Sequence, residues 1–287
     1  MSAPSLARSA RAASGLPAPW ARRTILILVG GLFLIPIASM LWFTLRLQGG
    51  EVGFDHWLSL LNPENARAYR NLGTGIFNSL VLAGLTVLIV WVLFLPTIVL
   101  VHLEFPRLER VFELLTVLPI AIPAIVLVVG FAPLYRILTP LLGGGVWTLS
   151  FAYGILVLPF AYRAIAADLH AMNAKTLAEA ARTLGASWPV VLIRVIAPGL
   201  RAGLTSATLI TAAVVLGEFT VSSLLNRVTM QVALIEVSKT DPYAAVITSL
   251  LSLLVAFGLL FAATTLHARR TRRRRTPRKG LPTNGNG

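Results

Sequence analysis

Six runs of apolar residues, each near the length that crosses a bilayer as a helix, constrain this chain more than any other feature. A hydrocarbon core of about 30 Å takes about 20 such residues, because backbone polar groups in lipid must bond to one another. The runs are Thr24–Leu45, Ile76–Val101, Leu114–Tyr135, Val146–Tyr162, Gly203–Leu225 and Ala244–Leu266, the fourth being the shortest. Charged residues are only 13% of the 287 and hydrophobic ones 56%. A soluble domain carries about 25% charged residues, and no soluble core of this length hides so much apolar surface. The expected fold class is therefore all-α, a polytopic membrane protein with six transmembrane helices. The first run exceeds the roughly 7–15 residues of a signal-peptide core, so it is read as an uncleaved span.

Charge orients the spans. The net charge is +14, and eight basic residues, Arg269, Arg270, Arg272, Arg273, Arg274, Arg275, Arg278 and Lys279, directly follow the sixth run. A cluster so placed is a topology determinant and an anionic-lipid contact rather than a nucleic-acid site. With six spans, one side keeps only Arg46, Arg67, Arg70, Arg136, Arg227 and Lys239, against 19 of the 25 Lys and Arg on the other. The richer side is cytoplasmic by the positive-inside rule. Both termini and the stretch 163–202 then lie in the cytoplasm of a cell (plasma or inner) membrane protein. The organisation expected is an N-terminal tail (1–23), a first span (24–45), a five-span core (72–267) with a cytoplasmic loop (163–202), and a basic tail (268–287). The ends, Met1–Pro19 and Thr276–Gly287, have the composition of disordered segments. The outward segment Gly49–Asn71 is polar, with a short amphipathic helix expected over Phe54–Leu61.

Catalytic chemistry finds little here. Cysteine is absent, which removes disulfides, thiolate metal sites and cysteine nucleophiles. His56, His102, His170 and His267 lie far apart in sequence and show no ligand spacing, so solvated or helix-end histidines are expected. Gly143–Gly145 run into Val146 and Trp147 rather than a Lys-Ser/Thr pair, so no phosphate loop exists there, and neither a G-x-S-x-G nor an H-E-x-x-H pattern occurs. Glu218 is the one charged residue inside a run. The chain reads as no enzyme, with no cofactor of its own. Any transport must draw energy from a gradient or from another subunit.

Between the fourth and fifth runs lies EAARTLGASWPVVLIRVIAP, Glu179–Pro198. Asn173 is placed to cap a helix of strong helix formers, AKTLAEAARTL. Met172, Leu177, Ala181 and Leu184 fall near one stripe, and Glu179 precedes Arg182 by three as a weak local pair. Gly185 offers a positive-φ stop, Ser187 a second cap, and Pro189 sits in the first turn of a second helix ending near Pro198. The periodicity alone also fits an amphipathic loop resting on head groups.

The spacing carries a resemblance. Glu179-Ala180-Ala181, three residues, Gly185, nine residues, then Val195-Ile196-Ala197-Pro198 resembles the EAA loop of permease subunits of bacterial ATP-binding-cassette (ABC) importers, type I (MetI-like). Ala197 departs from the Leu of the family pattern. The resemblance covers about Leu72–Leu266. It implies the type I importer permease fold and a coupling helix seated in a groove of a separate ATPase subunit. It implies contact through Leu177, Glu179, Ala180, Ala181, Arg182, Leu184, Gly185 and Ala186, with Pro198 closing the motif. The partners it implies are ABC ATPase subunits, which use the ATP, a second permease subunit (hetero- or homodimeric), and an extracytoplasmic solute-binding protein.

Glu218 lies 15 residues beyond Gly203, about 22 Å along a helix. A carboxylate at that depth is costly. It either lines the substrate pathway, with Gly217 and Phe219, or bonds to a neighbouring helix. Pro119 and Pro123 favour kinks that help build a cavity, while Pro96 and Pro159 read as ordinary membrane-helix prolines. Gly203, Ala207 and Thr211 repeat every four residues, which suggests a fifth span packed centrally against a partner permease. Asp241-Pro242 reads as the cap and first turn of the sixth span. The runs Leu118–Pro123 and Leu216–Phe219 resemble the branch handling polyamines, ferric iron, thiamine, sulfate or molybdate. A polyamine (spermidine/putrescine-type) is the leading expectation. A gradient-driven secondary transporter is the rival reading.

Overall fold

The computed structural model describes residues 19–274 except 48, 63 and 66–68, with side chains described from 20 to 258. The helices are α1 (Pro19–Leu45), α2 (Asp55–Leu61), α3 (Arg70–Glu104), α4 (Pro106–Ala121), α5 (Ala124–Leu142) and α6 (Leu149–Ala171). They continue as α7 (Ala174–Thr183), α8 (Trp188–Ile196), α9 (Arg201–Gly217), α10 (Thr220–Leu224), α11 (Met230–Ser238) and α12 (Pro242–Arg274). Among the described residues the only β pairing is an isolated bridge, Arg46 to Val52. The all-α expectation holds.

The run that looked shortest forms the centre. Arg163, Asp168 and His170 end its apolar stretch in sequence, but the helix continues through them to Ala171. Leu149, Tyr153, Val157, Ile165 and Leu169 of α6 are fully buried. Packed around α6 are α9 most closely, then α3 and α4. Burying an aliphatic side chain is worth about 1.5–3 kcal/mol in water. Within lipid the driving force shifts to close packing, so small residues set the approach. Gly203, Ala207 and Thr211 are buried on α9, and a Cβ on Gly203 would collide with the Ala164 carbonyl of α6. The small-residue stripe therefore packs α9 against α6 of the same chain, a correction to the expectation that it faces a partner permease.

Four described helices are long and apolar enough to cross a membrane, or five if the bent pair α8–α9 counts as one span. Six spans is thus more than the described residues establish. The sixth run lies in α12, whose apolar stretch with described side chains, Pro242–Gly258, is too short by itself. Two expected spans are broken. Leu114–Tyr135 is divided between α4 and α5 by Ile122 and Pro123, both extended at ψ 127° and 136°. Proline has no N–H to donate and forces its predecessor out of the helical region. Gly203–Leu225 stops at Gly217 and resumes as α10. The second run is α3, one helix with a π-helical turn at Val90–Phe94, and the expected outward helix is α2.

α1 lies at the edge of the bundle, with its apolar window wholly unburied. Its end is fastened by Trp57, whose indole N–H donates to Thr44 Oγ1 at 3.1 Å. Tyr243 of α12 is stacked between Phe43 and His56, with ring centroids at 4.8 and 3.7 Å. Asp241 caps α12 as expected, accepting the Ala244 N–H at 3.0 Å. The ends expected to be disordered lie, apart from Pro19, outside the described residues. α12 runs into the basic cluster as far as Arg274.

Candidate functional site

Between α6 and α9 the chain leaves the bundle as a hairpin of α7 and α8. Its entry is not the side-chain cap expected at Asn173, which makes no capping bond and sits at φ 50°, ψ 51°. Asparagine tolerates this left-handed conformation better than most residues. Here it turns the chain sharply between α6 and α7. Ser187 likewise makes no side-chain cap. The glycine stop is present in full. Gly185 has φ +83°, its N–H donates to the Arg182 carbonyl at 2.9 Å, and the Ala186 N–H donates to Ala181 at 3.1 Å. Those two bonds satisfy carbonyls the helix end would leave open. Pro189 opens α8, which becomes π-helical over Val191–Ile196. Pro198 lies in the turn beyond, and α9 departs at 89° to α8.

The buried face of α7 is Ala174, Ala178 and, in part, Ala181. Leu177 and Ala180 point outward, and Leu184 is 89% exposed. The stripe of Met172, Leu177, Ala181 and Leu184 read from spacing is therefore split. The alanines face the chain because small side chains let α8 and the end of α3 come close, and the leucines are left free. Glu179 does not pair with Arg182. Arg182 forms its ion pair with Glu104 at the end of α3. Glu104, Lys175, Glu179, Arg182 and Trp188 help line a cleft of about 290 Å³ between the elements. At the root of the hairpin, Asp168 near the end of α6 joins the two flanking helices, its Oδ2 accepting the Gly203 N–H of the first turn of α9 at 2.5 Å. A carboxylate there satisfies an open amide and complements the helix dipole. The hairpin is thus continuous in sequence with α6 and α9, whose adjoining ends Asp168 clasps together, and is held to α3 by the Arg182–Glu104 ion pair.

Away from the hairpin, α9 ends at Glu218, which is extended (φ −80°, ψ 127°). Its Oε1 accepts the Val221 N–H at 2.9 Å, and its Oε2 accepts the Ser222 N–H at 3.4 Å and the Tyr153 O–H at 2.9 Å. The carboxylate caps α10 and bridges to α6. Of the two readings left open by sequence, this geometry matches the bond to a neighbouring helix. Neighbours close the rest of the break. Gln231 Nε2–H donates to the Leu216 carbonyl, Thr229 to Ser222 Oγ, and the Met230 N–H to Ser79 Oγ. Gly217 and Phe219 are exposed beside it, Pro119 is half-buried and Pro123 exposed. The proline break and the Glu218 break are linked by α5, which packs against α10.

Sequence reasoning missed Tyr153 and Asp168, whose partners lie 65 and 35 positions away. A polar group inside an apolar run was the available signal. It also kept the histidines apart. In the fold, His102 and His170 meet at Glu109, with His102 Nδ1 2.8 Å from Glu109 Oε1.

No protein-family model matches the chain. It is 28% identical over 270 residues to a protein of Sinorhizobium fredii (strain NBRC 101917 / NGR234) named "Probable ABC transporter permease protein y4fN". The match takes in 87% of this chain and 45% of that relative. The likeness supports the ABC transporter permease family.

Proposed function

We propose that this chain is the transmembrane permease subunit of an ABC importer, forming the translocation pathway and receiving work from ATPase subunits it does not contain. The observation that carries the reading is the α7–α8 hairpin. It is a short helix with a free Leu177–Ala180–Leu184 edge, a glycine-stopped end and an ion pair to α3, set between the ends of α6 and α9 that Asp168 and Gly203 bind together. The likeness to a permease over most of the chain supports it independently.

On this reading the hairpin seats in a groove of the ATPase, and its ties carry ATPase closure into the spans. Leu177, Glu179, Ala180, Leu184 and Gly185 make the contact, while Arg182 holds the hairpin to α3 through Glu104. Both termini face the cytoplasm, a second permease subunit completes the pathway, and an extracytoplasmic solute-binding protein delivers the substrate. The substrate we assign is a polyamine of the spermidine/putrescine type. Ferric iron, thiamine, sulfate or molybdate would suit the same permease role, since the binding protein sets most of the choice. Gly217, Glu218, Phe219, Pro119 and Pro123 belong to the pathway region, with Glu218 shaping it by holding α10 in place.

Purification in mild detergent tests this. A stoichiometric ATPase should accompany the chain, and Gly185→Pro or Glu179→Lys should abolish ATP-driven uptake by the reconstituted complex. Uptake driven by an ion gradient with no ATPase present would establish the secondary-transporter alternative instead.

A further inference from the structure

His102 ends α3 but for two residues, Glu109 lies in the first turn of α4, and His170 is the penultimate residue of α6. Three helices therefore bring three donor atoms together. Glu109 Oε1 is 2.8 Å from His102 Nδ1 and 3.5 Å from His170 Nε2, and all three atoms lie within 4.8 Å of one another. Ligand atoms about 2.0–2.1 Å from a tetrahedral zinc ion stand about 3.4 Å apart, so side-chain rotations that open the His102–Glu109 contact and draw the two rings together would form a coordination sphere.

A second observation points the same way. His170 Nδ1 is 2.7 Å from the carbonyl oxygen of Ala166. A carbonyl only accepts, so Nδ1 carries the proton. In neutral imidazole the lone pair is then on Nε2, the atom that faces Glu109 Oε1. Nε2 and Oε1 then face each other across 3.5 Å, a contact closed by a cation between them, either a proton or a metal ion, beside the 2.8 Å contact of the same oxygen with His102 Nδ1. A ring N–H held by a backbone carbonyl is also the usual support of a metal-ligating histidine, since it fixes the tautomer and the ring orientation. His102 and Glu109 are largely buried, with side chains 15% and 21% exposed, whereas His170 is 61% exposed. An ion has an entry path on the His170 side and room for water as a further ligand.

We infer that His102, Glu109 and His170 form a binding site for a late first-row divalent cation such as zinc. Two imidazoles and one carboxylate suit Zn²⁺, Co²⁺ or Ni²⁺, whereas Mg²⁺ and Ca²⁺ call for oxygen ligands throughout. On binding, His102 carries its proton on Nε2 and offers Nδ1 to the ion. The site lies at the root of the hairpin. His170 is three residues before the Asn173 turn, and His102 is two before Glu104, the partner of Arg182. A bound ion clips the ends of α3 and α6 to α4 and stiffens the base from which α7 hangs. This holds whether or not the chain serves an ABC importer.

The test uses the full chain in mild detergent, free of any polyhistidine tag and stripped with a chelator. Titration with Zn²⁺ should give one saturable equivalent per chain by calorimetry. Co²⁺ should give the visible absorption of a four- or five-coordinate ion, and Zn²⁺ should raise the melting temperature. His170→Gln and Glu109→Gln should each weaken Zn²⁺ binding at least tenfold and remove the thermal shift. Because His170 is exposed, its variant should melt like the wild-type chain when no metal is present. No saturable binding below about 100 µM, or unchanged stoichiometry and affinity in the His102→Gln/His170→Gln double variant, overturns the inference.

Discussion

At the scale of single residues, Glu218 shows how a costly group is made tolerable. Its two oxygens accept two backbone amides and the Tyr153 hydroxyl, so the break after α9 leaves its donors satisfied. Removing one partner of a buried hydrogen bond costs about 1–3 kcal/mol. Glu218→Ala should therefore lower the melting temperature clearly, and Glu218→Gln, which keeps an acceptor, should lower it less. A freely exposed pathway residue would behave differently, with both variants impairing uptake and neither affecting melting. The sequence made Glu218 visible as a lone charge in an apolar run. Tyr153 was hidden, because a tyrosine in a span carries no mark of where its hydroxyl points. Tyr69 offers a pH test. Its hydroxyl donates to Asp241 Oδ2 at 2.6 Å. Partial burial and the neighbouring carboxylate push its pKa from near 10 up to about 12. The folded state therefore favours the neutral phenol. That contribution is whole below pH 10 and is lost as pH rises through 12. Melting measured across that window should fall in the wild-type chain by an increment that Tyr69→Phe lacks.

At the scale of elements, the hairpin was partly legible. Gly185 and Pro189 act by local rules, a positive-φ stop and a first-turn proline, and the fold uses both as read. Asn173 and the sidedness of α7 were not legible, for a common reason. Periodicity gives the spacing of apolar residues but not what they face, and α7 turns its alanines inward because α8 and the end of α3 leave no room for leucine. Pro123 was legible as a kink and the fold makes it a full break, whereas the break at Glu218 escaped a reading by apolar length, because hydropathy continues across it while the backbone does not. The sidedness has a consequence. Leu184 is 89% exposed and contributes little to the packing of α7, so Leu184→Asp should leave the melting temperature near that of the wild type. Apolar anchors in partner grooves carry a large share of binding energy, so the same change should weaken ATPase co-purification at least tenfold. Gly185→Ala should instead cost about 1 kcal/mol through the left-handed backbone, with coupling reduced rather than abolished.

At the scale of the whole molecule, the arrangement places the hairpin and the Glu218 break far apart along α9, joined by one helix. The hairpin meets the bundle at the first turn of α9, where Asp168 holds Gly203, and Glu218 stands just beyond its last turn. Because α9 lies tight against α6, with glycine at the crossing, the two move as a pair rather than sliding. A displacement at one end then reaches the other without a separate relay. This requires the two ends of α9 to face opposite sides of the membrane, which the charge bias predicts. The absence of cysteine makes that directly measurable, since a single introduced thiol has no background. Leu184→Cys should react with an impermeant maleimide only in inverted vesicles. Gly144→Cys, in the turn before α6 where the Arg227 guanidinium donates to the Gly144 carbonyl, should react only in intact cells or right-side-out vesicles. If both thiols are labelled from one side, the hairpin and the Glu218 end of α9 share a compartment. The transmembrane lever, and with it the proposed coupling, then fails.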